Sequence, residues 1–387
     1  MFDLIIRGAE VNDGTGSPRF KGDVGIRAGR IASVGNLAGQ DAASEIDARG
    51  LTLTPGFIDV HGHGDTGILV NPQAECKIRQ GITTQVVGQC GSSPFPLRNQ
   101  RREDVRRNLA RYGLELTWET AGEYFKTVEQ ARPAINSAFF VGQGAIRESV
   151  MGDKDLPPDP AQMREMKDEV ARAMDAGAIG LTTGLIYTPG SFADTAELTE
   201  LTKTAAEMGG MYASHIRGEG DPLLEAVDEA LTIGKNAGCP VQISHLKASA
   251  PRNWGKVKTA IEIIEAAEAR GQDVAFDKYP YTAGSTSLST YLPRWAVGDG
   301  IERLMEHLES PEMRKRIFAE ANDLNDGDKK WDSVVIIGAE SKEFAPYEGL
   351  TVYEISRKTG RSLEDVFCDL LLKSRAEADI VCFTQSQ

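Results

Sequence analysis

The sequence predicts an α/β protein of the (β/α)8 TIM-type barrel class, and three observations lead there. Short apolar strands ending in polar residues alternate with amphipathic helical stretches, the signature of βαβ units and a parallel sheet. Those strands are near-continuously apolar, as strands covered on both faces must be. No glycine-rich dinucleotide fingerprint follows the first strand, which argues against an open doubly wound sheet.

The elements follow in order. Residues 1–54 read as a small β unit, with short strands near Leu4, Gly22, Arg30 and Leu51 punctuated by Asp13-Gly14, Gly29 and Gly35. After Pro55-Gly56 the period changes. Strands are expected at 57–63, 84–88, 137–141, 178–182, 211–215, 241–245 and 274–279. Helices are expected between them at 101–114, 160–176, 195–208, 223–237 and 253–270. Past Tyr281 the alternation is lost, and residues 284–340 read as an insert. It holds a helix at 301–321, an exposed polar loop at 323–331 and a strand at 333–338. A helix at 363–373 and an apolar run at 379–384 close the sequence. The barrel spans 55–387 with seven strands, so its last strand is missing and the chain reads as a truncated version of a longer enzyme.

Composition bounds the function. Of 387 residues, 43 are Lys or Arg and 57 are Asp or Glu, a net charge of −14 that leaves no basic face for a nucleic-acid backbone. The N-terminus MFDLIIRGAEVNDGTG is a strand and turn with no secretory n-region, and no apolar stretch approaches a membrane span. Five scattered cysteines make no disulfide framework. A cytoplasmic protein acting on a small molecule, with neither nucleic acid nor membrane as partner, is the expectation.

Histidine is scarce, so its positions carry information. Four of the five fall at expected strand ends: His61, His63, His215 and His245. In a strand, residues i and i+2 share a face, so His61 and His63 in GFIDVHGHGD would aim both imidazoles at one centre, a divalent zinc site above all. His215 and His245 are each followed two residues later by a cation, Arg217 and Lys247. A pair of polar strand-end residues is the plain alternative for any one of them, but not for four together. Cys90 also ends a strand, where a thiolate could bind or bridge metal. Cys76, Cys239, Cys368 and Cys382 read as small buried hydrophobes. His307, in a helical run, is expected to be solvated.

The segments PGFIDVHGHGD, GITTQVVGQCG, GLTTGLIYTPGSFADTAEL, SHIRGEGD, ISHLKAS and DKYPYTAGST together resemble the D-aminoacylase (N-acyl-D-amino-acid deacylase) group of the amidohydrolase superfamily. The resemblance runs from about residue 3 to the end. It implies a (β/α)8 barrel with a small β-sandwich. It also implies zinc held tightly by Cys90, His215 and His245, with Cys90 bridging to a weaker, sometimes absent second ion at His61 and His63. The substrate α-carboxylate corresponds to Lys247 and Tyr281, with Tyr279 on the same strand face as an alternative and aromatic packing as the plain reading of both. Arg294 would go with acidic substrates, N-acyl-D-glutamate especially, or else be an ordinary surface arginine. Ser285, Thr286 and Ser287 are weaker candidates for hydrogen bonds to substrate.

The implied activity is zinc-dependent hydrolysis of N-acyl-D-amino acids. Its general-base Asp, in an SDG-like motif at the eighth strand, has no counterpart before Gln387, so no catalytic acid or base is assigned. Two alternatives stand beside it. One is a hydantoinase- or dihydroorotase-like cyclic-amide hydrolase, disfavoured because GAIGLTTGL offers no carboxylatable lysine. The other is a truncated, non-catalytic metal-binding remnant.

Overall fold

A computed structural model describes residues 1–324 and 330–386. The chain divides into two compact units, Met1–Ile58 with Glu75–Thr84, and Asp59–Ala74 with Gln85–Gln387.

The first unit carries β1 (Phe2–Val11), β2 (Phe20–Arg27), β3 (Arg30–Gly35), β4 (Ala42–Asp47) and β5 (Thr52–Leu53). They form one sheet in the order β3-β2-β1-β4, with β5 also on β1. β1 pairs antiparallel with β2 and parallel with β4 and β5. Its alternate residues Ile5, Ala9 and Val11 are buried, the period-2 pattern of a one-sided sheet. The sequence reading missed β4, whose AASEID is almost wholly exposed and has no apolar face to betray it.

The chain continues through β6 (Phe57–Asp59), β7 (Ile82–Val87), β8 (Asn136–Phe139), β9 (Val141–Gly142), β10 (Gly180–Gly184), β11 (Met211–His215), β12 (Val241–Ile243) and β13 (Val274–Phe276). In the second unit, β13-β12-β11-β10-β9 form a wholly parallel sheet. Helices Pro160–Ala176, Thr195–Glu207, Leu223–Ala237 and Lys256–Ala269 fall between its strands, so the expected α/β class holds. Their bounds have local causes. Asp159 caps the first of them in a capping box with Gln162, Pro160 opens it, and Gly177 at φ 114 ends it in the left-handed region. Asp194 caps the next on the Glu197 N–H, and Gly238 ends the third. Among the barrel strands β6, β12 and β13 are shorter than expected, because side chains intercept the backbone that follows them. Asp59 accepts the His61 N–H (3.3 Å), so His61 and His63 lie beyond β6 rather than in it.

Residues past Tyr281 form a second core of their own. β14 (Gly284–Ser287), β15 (Val334–Gly338) and β16 (Asp379–Cys382) make an antiparallel sheet in the order β14-β16-β15. Around it pack Leu288, Leu304, Ile317, Trp331, Phe344, Phe367 and Ile380, so this cluster runs past the 284–340 bounds to Cys382. The single helix expected at 301–321 is two, Ile301–Glu309 and Pro311–Leu324, because Pro311 cannot continue the first. His307 is not solvated: it is 8% exposed against Trp295, on the apolar side of its helix. Part of the polar run at 323–331 lies at 325–329, outside the described residues. Among the described residues no helix is long and apolar enough to cross a membrane.

Candidate metal centre

The strand ends of the second unit converge on Cys90. Its Sγ lies 3.5 Å from His61 Nε2, 3.8 Å from His63 Nε2 and 3.5 Å from His245 Nε2. His215 completes the group, its ring centroid 4.4 Å from that of His245. All five predicted metal-site residues therefore come together, although the HxH pair does so from a turn rather than a strand.

The backbone is bent to achieve this. Cys90 has φ 54 and His245 φ 38, left-handed values that non-glycine residues adopt rarely and at a cost of roughly 1–3 kcal/mol each. Gly91 follows at φ 74, and a Cβ there would fall 2.6 Å from the Gly184 backbone nitrogen. Only glycine lets the Cys90 turn sit this close to the end of β10.

Burial separates the ligands. His215 and His245 are 4% and 8% exposed, Cys90 is buried, and His63 is exposed. Both ring nitrogens of His215 are buried without a hydrogen-bond partner, a state that buried polar atoms rarely keep. Burial holds the His215 and His245 imidazoles below their ordinary pKa, and so neutral. Burial also pushes the Cys90 thiol up, with Glu219 adding to it. Neutral imidazoles and a sulfur around one point form the donor set of a soft or borderline divalent ion such as zinc. Two groups of side chains have ligand atoms within 4.8 Å of one another: His61, Cys90 and His245; and His215, Glu219 and His245. In the second, the Lys247 ammonium already sits on Glu219 and 2.9 Å from His245 Nδ1. A cation is in place there.

Two carboxylates at this centre escaped the sequence reading. Glu219 pairs with Lys247 and lies 3.1 Å from His245 Nδ1 and 3.5 Å from His215 Nε2. Burial would raise its pKa, but Lys247 and the two histidines outweigh that and hold it ionised. Asp277 lies 3.3 Å from His61 Nδ1 and accepts from Gln242 Nε2 (2.9 Å) and the His245 N–H (2.7 Å). Burial acts to raise it too, and His61 and Gln242 bring it below the ordinary carboxylate range. Signals existed for both. Glu219 stands four residues past His215 in SHIRGEGD, and Asp277 opens DKYPY at a strand end.

A cavity of about 650 Å³ opens over the centre. Lys247, Tyr281 and Ser285 line it, as do Tyr279, Tyr187 and Gln385. Tyr279 is held by Gln385 (2.7 Å) and is partly buried, while Tyr281 is 70% exposed with its ring 6.4 Å away. Thr286 meets the Tyr187 hydroxyl at 3.1 Å, and Ser287 turns away to cap the Ser289 N–H. Arg294 is not among the lining residues. It forms a two-pronged pair with Asp155 (2.6 and 2.5 Å) over the Phe192 ring. Of the other cysteines, Cys368 and Cys382 are buried as expected, Cys239 only partly so and Cys76 is exposed.

Comparison with known proteins adds the family. The model of the Amidohydrolase family matches residues 44–323. The chain is 43% identical over 288 residues to N-acyl-D-glutamate deacylase of Alcaligenes xylosoxydans xylosoxydans, covering 74% of this chain and 58% of that protein. It is 38% identical over 287 residues to D-aminoacylase of the same organism, covering 74% and 59%. The chain thus spans less than two thirds of these curated relatives. Among solved structures, N-acyl-D-glutamate deacylase from Bordetella bronchiseptica, complexed with zinc and a phosphonate inhibitor, superposes with TM-score 0.81 at 33% identity. That match covers all of this chain and 72% of the other. A D-aminoacylase structure gives 0.80 at 32% identity with the same coverage.

Proposed function

The chain belongs to the D-aminoacylase group of the amidohydrolase family, and from that premise we propose that it hydrolyses N-acyl-D-amino acids, N-acyl-D-glutamate among them. Water's oxygen joins the acyl carbon, the C–N bond breaks, and a carboxylate and a free D-amino acid leave. The observation that carries this reading is the convergence of three histidine Nε2 atoms on Cys90 Sγ, beside a His215 whose buried ring nitrogens make no hydrogen bond.

Cys90, His215 and His245 would hold one zinc tightly, and His61 and His63, sharing Cys90, a weaker second. The deep burial of the first pair and the exposure of His63 support that ranking. A bound zinc supplies Lewis acidity, polarising the amide carbonyl and lowering the pKa of a water to about 7. The chain's own groups orient the substrate. The Lys247 ammonium and the Tyr281 phenol, both at the cavity wall, would take the α-carboxylate, and Ser285 would add a hydrogen bond. Arg294, engaged by Asp155, has no part in this reading as it stands. Residues 1–54 we read as a small β-sandwich part, and the rest as a (β/α)8 barrel carrying an inserted cluster that begins at Gly284 and runs to Cys382 rather than ending at 340. The alternation of β6 through β13 with helices supports the barrel. A cytoplasmic enzyme of one small-molecule substrate class fits the acidic surface charge.

One observation favours a second reading, a metal-binding chain without turnover. The carboxylates of Glu219, Asp221 and Asp277 are each engaged, by Lys247, Arg252 and Gln242. None of the three stands ready to carry a proton. A cyclic-amide hydrolase has no such support, since Gly180–Gly184 offers no lysine to carboxylate. Elemental analysis joined to turnover of N-acetyl-D-glutamate decides among them. Bound zinc with D-selective deacylation is the expected result, zinc without turnover supports the second reading, and no zinc at all overturns both.

A further inference from the structure

We infer that Asp277 is a positioning residue that sets two of the histidines at once, orienting the ring of His61 and clamping the backbone turn of His245. The inference rests on the metal-centre reading above and adds to it a carboxylate that stands behind the ligand rings, outside the cavity lining.

Asp277 is not among the cavity-lining residues, and its side chain is 11% exposed. It stands behind His61: the carboxylate faces Nδ1 at 3.3 Å while Nε2 of the same ring faces Cys90 Sγ at 3.5 Å. Both donors on this carboxylate, Gln242 Nε2 at 2.9 Å and the His245 N–H at 2.7 Å, require it to accept. An ionised carboxylate can only accept, so Nδ1 of His61 must carry a ring proton to bond it. In the neutral ring Nε2 is then left bare, its lone pair directed at the Cys90 corner. This is the carboxylate–histidine–metal relationship, in which an outer carboxylate fixes tautomer and ring plane.

The second grip is on the main chain. His245 occupies the left-handed region at φ 38, which non-glycine residues adopt uncommonly. Asp277 surrounds that turn. Its carboxylate takes the His245 N–H, its own N–H donates to the Ile243 carbonyl (3.1 Å), and its carbonyl accepts from the Leu246 N–H (2.9 Å). One residue at the end of β13 thereby fixes the end of β12 and a ring 216 positions earlier in the chain.

The test is the D277N variant of the 387-residue chain beside wild type, with two readouts. The first needs no metal. Long-range 1H–15N NMR of the five histidines, with His61 assigned through an H61N variant, should find the Nδ1–H tautomer in metal-free wild type. In D277N the side-chain oxygen stays on the His245 N–H and an amide donor faces His61, so the proton should move to Nε2. The second readout is zinc affinity by competition with a chromophoric chelator, expected to fall about 10–100-fold in D277N. An Nε2–H tautomer of His61 in the wild type overturns the inference even if D277N fails to fold. So does a D277N protein whose thermal midpoint falls while tautomer and affinity stay unchanged, the mark of a merely structural role. Wild type that takes up no zinc defeats the metal-centre reading instead, and the tautomer still judges Asp277.

Discussion

The strand ends of the parallel sheet and the cluster built on β14, β15 and β16 solve opposite problems within one unit. The cluster is held by apolar packing, with Trp331, Phe344 and Phe367 fully buried, and its buried polar side chains among the described residues are His307 and Ser374. The strand ends bury Lys247, His215 and His245 with Glu219 beside them, and bend Cys90 and His245 into left-handed turns. Burying charge and backbone strain costs stability. Left-handed residues occur in the cluster too, at Glu340, Arg375 and Ala376, so it is the buried Lys247 with its carboxylate partner that sets the strand ends apart and marks where function has been placed.

Five changes would break or sharpen that contrast. The largest effect belongs to Cys90→Ala, since Cys90 faces three histidines at once. Zinc affinity should fall by more than the roughly 10–100-fold that an outer-sphere change costs, and unchanged zinc stoichiometry by elemental analysis would remove Cys90 from the centre. Next come the two histidine pairs. H215N/H245N should remove the tightly held ion, whereas H61N/H63N should leave about one ion per chain. The reverse order would mean that burial does not rank the sites.

Lys247→Met is third. It leaves Glu219 buried without its cation, at a cost of roughly 3–5 kcal/mol, and part of that should return in K247M/E219Q. Denaturant midpoints measure both, and a K247M protein as stable as wild type would sink the pairing. Arg294→Leu should be far milder. Its bridge to Asp155 is more than half exposed on the arginine side and is worth about 1 kcal/mol or less. In an active chain N-acetyl-D-glutamate and N-acetyl-D-leucine should be affected alike. A loss confined to the glutamate substrate would bring Arg294 into the site.

The smallest effect lies on β16. Desolvation by the surrounding protein, with Glu340 and Glu377 nearby, raises the carboxyl of Asp379, a residue exposed at the surface, above its ordinary 3.8. The folded state therefore binds the proton more tightly than the unfolded one, and stability declines as pH rises from 3.8 through the folded pKa. Asp379→Asn should raise the thermal midpoint at pH 7 and leave it unchanged well below pH 3.8. An equal shift at both pH values would point to packing rather than charge.

Legibility tracked locality. Pro160–Ala176 and Leu363–Lys373 carry side-chain N-caps, Leu223–Ala237 ends on Gly238, and all three have an amphipathic period and bounds that agree with the sequence reading. Gly142 begins Gln143–Met151 without a side-chain cap, and that helix went unseen. β12 and β13 came out two or three residues shorter than expected, because Asp277 diverts the backbone that follows. His307 misled because a polar residue on a short helix reads as solvated unless its packing partner, Trp295, is known.

By itself the sequence determined the α/β alternation, the choice of His61, His63, Cys90, His215 and His245 as one group at or just past strand ends, and the family they belong to. Residue type and short spacing carry that information, and both are local. Only the tertiary structure decided which charge meets which. Asp277 reaches His61 across 216 positions, Glu219 reaches Lys247 across 28, and Arg294 turns to Asp155 across 139. Such pairings depend on where separate strands and loops return in space. A carboxylate that will hold a histidine and one that will sit in water look the same until the chain has folded around them.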